Sequence, residues 1–128
     1  MTFPPEILSA LTLAVEASEQ VRGTTSPNPP VGAVILDAAG HVAGVGATQP
    51  PGGAHAEVIA LQTAGGRARG GTAVVTLEPC NHTGRTGPCS QALIDAGITA
   101  VYYANSDPFP QAAGGADHLR TAGIQVHL

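Results

Sequence analysis

Both cysteines of the 128-residue chain fall in one stretch, Leu77-Glu78-Pro79-Cys80-Asn81-His82-Thr83-Gly84-Arg85-Thr86-Gly87-Pro88-Cys89. A short cluster upstream, His55-Ala56-Glu57, adds an imidazole and a carboxylate. Thiolate and imidazole are good zinc ligands, and three protein ligands leave a fourth position open for water. Two cysteines exclude a closed four-Cys structural site. His55, Cys80 and Cys89 are therefore the candidate ligands of a catalytic Zn2+. Bound zinc lowers the pKa of its water to about 7. Glu57 is the candidate catalytic group that takes this proton and hands it on.

That chemistry makes a geometric demand. Residues two apart stand about 200° apart around a helix. His55 and Glu57 cannot both face one pocket from mid-helix, so His55 must lie at or just before the first turn. The approach Gly52-Gly53-Ala54 allows this. Cys89 is expected at the start of another helix, where backbone N–H groups and the dipole favour a thiolate. Taken singly, each part has a plainer explanation. A lone His-x-Glu is common, and two Cys nine positions apart also suit a structural or redox pair. The combination, with Pro79 before Cys80 and each part at an element boundary, favours a metal site.

The elements that must hold these groups follow from periodicity and turn residues. Residues Pro5 to Val21 read as a helix, with Ile7, Leu8, Leu11, Ala14, Val15 and Ser18 on its inner face. Thr24-Thr25-Ser26-Pro27-Asn28-Pro29-Pro30 is a loop stiffened by prolines. Asn28 within it is either an Asx-type turn residue or a fixed amide facing a ligand. Val31–Leu36 and Val42–Ala47 read as an antiparallel hairpin around Asp37-Ala38-Ala39-Gly40. Ala54–Ala64 reads as a helix ended by Gly65-Gly66, followed by a strand at Thr72–Leu77. A helix from Pro88 to Ala96, a strand at Thr99–Ala104, a helix near Ala113–Ala122 and a strand at Ile124–Leu128 complete the chain. Helix, hairpin, then three helix–strand steps imply an α/β layered fold with a mostly parallel five-stranded sheet. Its last strand should lie parallel to its predecessor. Functional loops belong at the carboxyl ends of such strands.

Composition narrows the partners. The net charge is −4, and the five basic residues are scattered arginines, Arg22, Arg67, Arg69, Arg85 and Arg120. No basic stripe exists, so a nucleic-acid partner is not expected. No apolar run approaches the roughly 18 residues that span a membrane, and the start lacks a signal-peptide pattern. A cytoplasmic protein of one domain, residues 1–128, is expected. In that compartment free thiols or metal ligands are commoner than disulfides. Aromatics are only 3%, so the core must be built from Val, Ile, Leu and Ala.

His55-Ala56-Glu57 with Pro79-Cys80 matches the H-x-E and P-C halves of the zinc-deaminase signature, but eight residues separate the cysteines instead of two. In this the chain resembles the deaminase domain of riboflavin biosynthesis, the diaminohydroxyphosphoribosylaminopyrimidine deaminases of the cytidine deaminase-like superfamily. The resemblance rests on Ser26-Pro27-Asn28-Pro29-Pro30-Val31-Gly32-Ala33-Val34, His55-Ala56-Glu57-Val58, Thr76-Leu77-Glu78-Pro79-Cys80-Asn81-His82, Gly84-Arg85-Thr86 and Asp107-Pro108. It implies a three-layer α/β/α fold and hydrolytic loss of the 2-amino group from a phosphoribosylaminopyrimidine. It also implies His55, Cys80 and Cys89 as zinc ligands, Glu57 as proton shuttle, and Asn28, His82, Arg85 and Asp107 as substrate contacts. Homo-oligomers are implied too. Arg85 suits a phosphate as a bidentate fork, or is a solvated loop charge. His82 otherwise fixes the loop by a local hydrogen bond, and Asp107 otherwise serves a turn. Thr48, Gly87 and Phe109 depart from the family pattern, where His, Pro and Asn are usual. No nicotinamide site is visible, so no reductase domain is expected. Two other readings remain: deamination of another nucleobase or nucleoside, and a non-catalytic zinc-stabilised interaction module.

Overall fold

The computed structural model describes residues 4–23, 30–49, 55–76, 89–104 and 115–127. Its elements are α1 (Pro5–Gln20), β1 (Gly32–Leu36), β2 (Val42–Ala47), α2 (Ala56–Ala64), β3 (Thr72–Val75), α3 (Cys89–Asp95), β4 (Ala100–Tyr103), α4 (Gly115–Thr121) and β5 (Gln125–His127). One sheet holds the five strands in the order β2-β1-β3-β4-β5. β1 is antiparallel to both β2 and β3, while β3–β4 and β4–β5 are parallel. Four of the five strands thus share one direction, and β1 alone opposes them. The sheet is mixed and mostly parallel, as expected, with β5 parallel to β4.

Alternating side chains sort the sheet into two faces, because successive residues of a strand point to opposite sides. Val34, Leu36 and Val74 pack with Ile7, Ala10 and Ala14 of α1. Ala33, Ile35, Ala73, Val75, Val101 and Tyr103 pack on the other side with Ala56, Ala60 and Ala64 of α2, Leu93 of α3 and Leu119 of α4. Helices on both faces of one sheet make the three layers. β1 is buried along its whole length, which explains why it reads as a continuous apolar run.

α1 departs from its expected inner face. Ile7, Ala10, Ala14 and Ala17 are its buried residues, whereas Leu8 and Val15 are exposed at 45% and 44%. Size explains the choice. The backbone of α1 lies directly on Gly32, where an added Cβ would overlap the Ala14 carbonyl oxygen. The small side chain of Ala14 suits that approach, and the larger Leu8 and Val15 turn outward. α2 ends at Ala64 with Gly65 as its C-cap at φ +57°, as the Gly65-Gly66 pair predicts. A 3-10 helix at Gly65–Ala68 follows and buries Ala68.

The hairpin is held by Asp37. Its Oδ1 accepts the N–H groups of Ala39 and His41, each at 2.9 Å, and Gly40 completes the turn at φ +89°. The β1–β2 register shifts between Ile35 and Leu36. Beside that irregularity, the Ala43 carbonyl accepts Arg67 Nη2 at 2.9 Å, which ties the 3-10 helix to β2. Among the described residues, no helix is long and apolar enough to cross a membrane.

Candidate active site

The strand directions gather the site. Because β1 opposes β2, β3 and β4, its amino end lies at the same edge of the sheet as their carboxyl ends. The chain enters β1 there from 24–30, and it leaves β2, β3 and β4 there toward 48–55, 76–88 and 104–114. In the sequence, Asn28, His55, Cys80, His82, Arg85 and Asp107 fall in these four connections, while Glu57 and Cys89 lie in the first turns of the helices that follow two of them. This placement follows the rule that ligands of open α/β sheets bind beyond the carboxyl ends of the strands.

His55 meets the geometric demand. It is the N-cap of α2, with extended backbone at φ −75° and ψ 162°, and its carbonyl accepts the N–H of Ile59 at 3.1 Å. It therefore stands outside the helical rotation, half-buried, one step ahead of the first turn. Glu57 lies in that turn and is only 4% exposed. A carboxylate is seldom so deeply buried unless it is paired or hydrogen-bonded. Its place near the N-terminus of α2 also sets a negative group against the positive end of the helix dipole.

Cys89 is the first residue of α3, as the sequence predicts. The next residue, Ser90, is fully buried. Leu93 of α3 shares a core cluster with Ala56 and Ala60 of α2, so one packed body fixes the two helices that begin with His55 and with Cys89. Asn28, Cys80, His82, Arg85 and Asp107 lie outside the described residues, and Cys89 is described by its backbone alone.

Two threonines that sequence reasoning did not single out as structural lie at the same edge. Thr48, just past β2, is 6% exposed. Its hydroxyl accepts the Val31 N–H at 2.9 Å and lies 3.3 Å from the Val31 carbonyl it donates to. Thr76, just past β3, accepts the Gly32 N–H on its hydroxyl at 3.1 Å. Backbone bonds repeat both ties, from Thr48 N–H to the Val31 carbonyl and from Thr76 N–H to the Gly32 carbonyl, each at 3.0 Å. The start of β1, directly after Pro29-Pro30, is thus clasped from both neighbouring strands. The only sequence hint was that Thr48 departs from a family pattern.

The fold thus sets a buried glutamate in the first turn of a helix whose N-cap is a histidine, at the carboxyl edge of a mixed sheet with helices on both faces. Residues 5–105 match the family model for the cytidine and deoxycytidylate deaminase zinc-binding region. The chain is 62% identical over 122 residues to the riboflavin biosynthesis protein RibD of Corynebacterium ammoniagenes, covering 95% of this chain and 36% of that one. It is 44% identical over 119 residues to the diaminohydroxyphosphoribosylamino-pyrimidine deaminase of Buchnera aphidicola, covering 92% of this chain and 80% of that one. The solved RibD of Acinetobacter baumannii superposes with a TM-score of 0.90 at 43% identity, over 95% of this chain and 34% of that one. The chain belongs to the cytidine and deoxycytidylate deaminase family, in its riboflavin-biosynthesis branch of diaminohydroxyphosphoribosylamino-pyrimidine deaminases. It spans about a third of the length of the RibD proteins it matches.

Proposed function

We propose that the chain removes the 2-amino group of a phosphoribosylated diaminopyrimidinone by zinc-dependent hydrolysis, releasing ammonia and leaving a uracil derivative. The observation that carries this reading is Glu57, a buried carboxylate in the helical turn that His55 opens. The donor set suits zinc. An imidazole and two thiolates, His55, Cys80 and Cys89, would hold the ion, and a third thiolate is not available. When bound, the ion supplies the Lewis acidity that makes water a nucleophile near neutral pH.

Glu57 then does the proton work. Its carboxylate accepts a proton as water adds to the ring carbon, and returns it to the departing nitrogen as the carbon–nitrogen bond breaks. Burial keeps bulk water from competing for that proton. Asn28, His82, Arg85 and Asp107 would orient the substrate, with Arg85 suited to the phosphate. The same reading includes a cytoplasmic place of action and self-association, for which exposed Leu8, Leu13 and Val15 of α1 offer apolar surface.

The test is ammonia release by the purified zinc form from the phosphoribosylated pyrimidine, from its dephosphorylated counterpart and from cytosine. The first should be strongly preferred. Glu57→Gln should lower turnover by about 10²–10⁴-fold while zinc content is kept. Equal rates with and without the phosphate, or full activity of Glu57→Gln, would overturn the reading.

A further inference from the structure

α2 lies against β2 with almost no side chain between them. Ala56, Ala60 and Ala64, all buried, face Gly44 and Gly46. A Cβ at Gly46 would overlap the carbonyl oxygen of Ala56, and would stand 2.6 Å from Ala60 N and 2.9 Å from Ile59 Cβ. A Cβ at Gly44 would overlap the carbonyl oxygen of Ala60 and stand 2.9 Å from Ala64 N. The two glycines therefore admit the helix equally closely but at different places. Both meet Ala60, but Gly46 alone also touches the first turn, at the residue between His55 and Glu57. Gly44 touches the middle and last turns.

These obstacles are backbone atoms and one Cβ, none of which a rotamer change can move. Ordinary contact begins at 3.4 Å, and from 2.6 Å the Ala60 nitrogen alone would have to retreat by 3.4 − 2.6 = 0.8 Å. Metal–ligand distances hold to about 0.2 Å, and catalytic groups to about 0.5 Å. A shift of that size exceeds both. The strand cannot simply yield in place of the helix, because Thr48, two residues beyond Gly46, fastens its end to Val31.

We infer that Gly46 is a positioning residue for this active site: its missing side chain sets how deep the first turn of α2 sits on the sheet, and so where His55 and Glu57 stand relative to the helix that Cys89 opens. The inference rests on the deaminase reading given above. Gly46 touches neither substrate nor any candidate ligand and acts through the Ala56 peptide.

Gly46→Ala and Gly44→Ala form a matched pair, since each adds one methyl against the backbone of α2. Two readouts apply: zinc affinity by competition with a chromogenic chelator, and kcat and KM for ammonia release at a temperature where each variant is folded by circular dichroism. Gly46→Ala should weaken zinc binding by about 10–100-fold, the range for residues that orient metal ligands. Its kcat should fall by about 100-fold, as a misplacement near 1 Å does. Gly44→Ala should lose stability while keeping wild-type zinc affinity and kcat. Equal losses in the two variants, or wild-type zinc affinity in folded Gly46→Ala, would refute the inference. If Gly46→Ala does not fold, the gentler pair Ala56→Ser and Ala64→Ser probes the same gap from the helix side. There, weakened zinc binding in Ala56→Ser alone supports the inference, and equal behaviour refutes it. A wild-type protein that binds zinc but releases no ammonia would sink the deaminase reading, while the zinc comparison would still decide the role of Gly46.

Discussion

Replacing Thr48 by Val removes a hydroxyl and keeps the shape of the side chain. The structure sets the magnitude. The hydroxyl is the acceptor of the Val31 N–H at 2.9 Å and also donates to the Val31 carbonyl at 3.3 Å. The backbone bond from Thr48 N–H to that carbonyl, 3.0 Å, survives the change. Toward Val31 the main loss is the acceptor for one amide. Depriving a buried donor of its partner costs about 1–3 kcal/mol, and Val31 is half-buried, so water recovers part of it and about 1–2 kcal/mol is expected. Unfolding entropy near 2.1 cal/mol/K per residue over 128 residues comes to about 0.27 kcal/mol/K. The thermal midpoint should therefore drop by about 4–7 °C. Thr48→Ser keeps the hydroxyl and loses one methyl, so it should cost about 0.8 kcal/mol or less. Urea unfolding of the three proteins decides the matter. If Thr48→Val matches or exceeds Thr48→Ser in midpoint at an unchanged m-value, the clasp on Val31 contributes nothing and the reasoning fails.

Three further outcomes follow from the same structure. Gly32→Ala places a methyl on the Ala14 carbonyl and 3.0 Å from Ser18 N, so α1 must lift off the sheet. A loss of about 3 kcal/mol or more is expected, at the top of the overpacking range, and loss of α1 protection in amide exchange would report it. The His41 and Ala39 N–H groups on Asp37 hold its carboxyl below the ordinary value near 3.8, with the His41 amide the largest cause and partial burial working against it. A depressed folded pKa gives stability that is fully present above the unfolded value and is lost as pH falls through the folded one. Asp37→Asn should therefore cost stability at pH 7 and little at a pH below both values, and an equal cost at both would contradict it. Removing zinc with a chelator should abolish ammonia release and lower the thermal midpoint, and adding zinc back should restore both; a midpoint indifferent to zinc would argue against a bound ion.

Much of the layered fold was legible because local signals agreed with the global answer. The helical spacing, the turn at Asp37–Gly40 and the alternation of helix and strand each named an element that the structure contains. The position of His55 was legible from stereochemistry alone, since a histidine and a glutamate two apart cannot share a helix face. What could not be read depends on contacts between distant residues. The buried face of α1 is set by the backbone of Gly32 rather than by hydrophobicity, so Ala10, Ala14 and Ala17 displace Leu8 and Val15. The partners of Thr48 and Thr76 lie 17 and 44 residues away, and no local pattern announces them. The antiparallel pairing of β1 with β3 was hidden for the same reason. Candidates Asn28, Cys80, His82, Arg85 and Asp107 were legible as motifs only, in connections between elements.

The strand order has a consequence for how the molecule can be assembled. Once the hairpin of β1 and β2 has formed, each later strand is added at one border only: β3 beside β1, β4 beside β3, β5 beside β4. No later strand has to be inserted between two already paired. The early half of the chain, α1 through α2, packs mainly on itself, so a growing polypeptide can settle it while the rest is still being synthesised. Helix–strand steps then extend it by short-range closures, which keeps the loop entropy of each addition small. The border of the sheet to which the later helix–strand steps are added is thus one that the first half of the chain supplies.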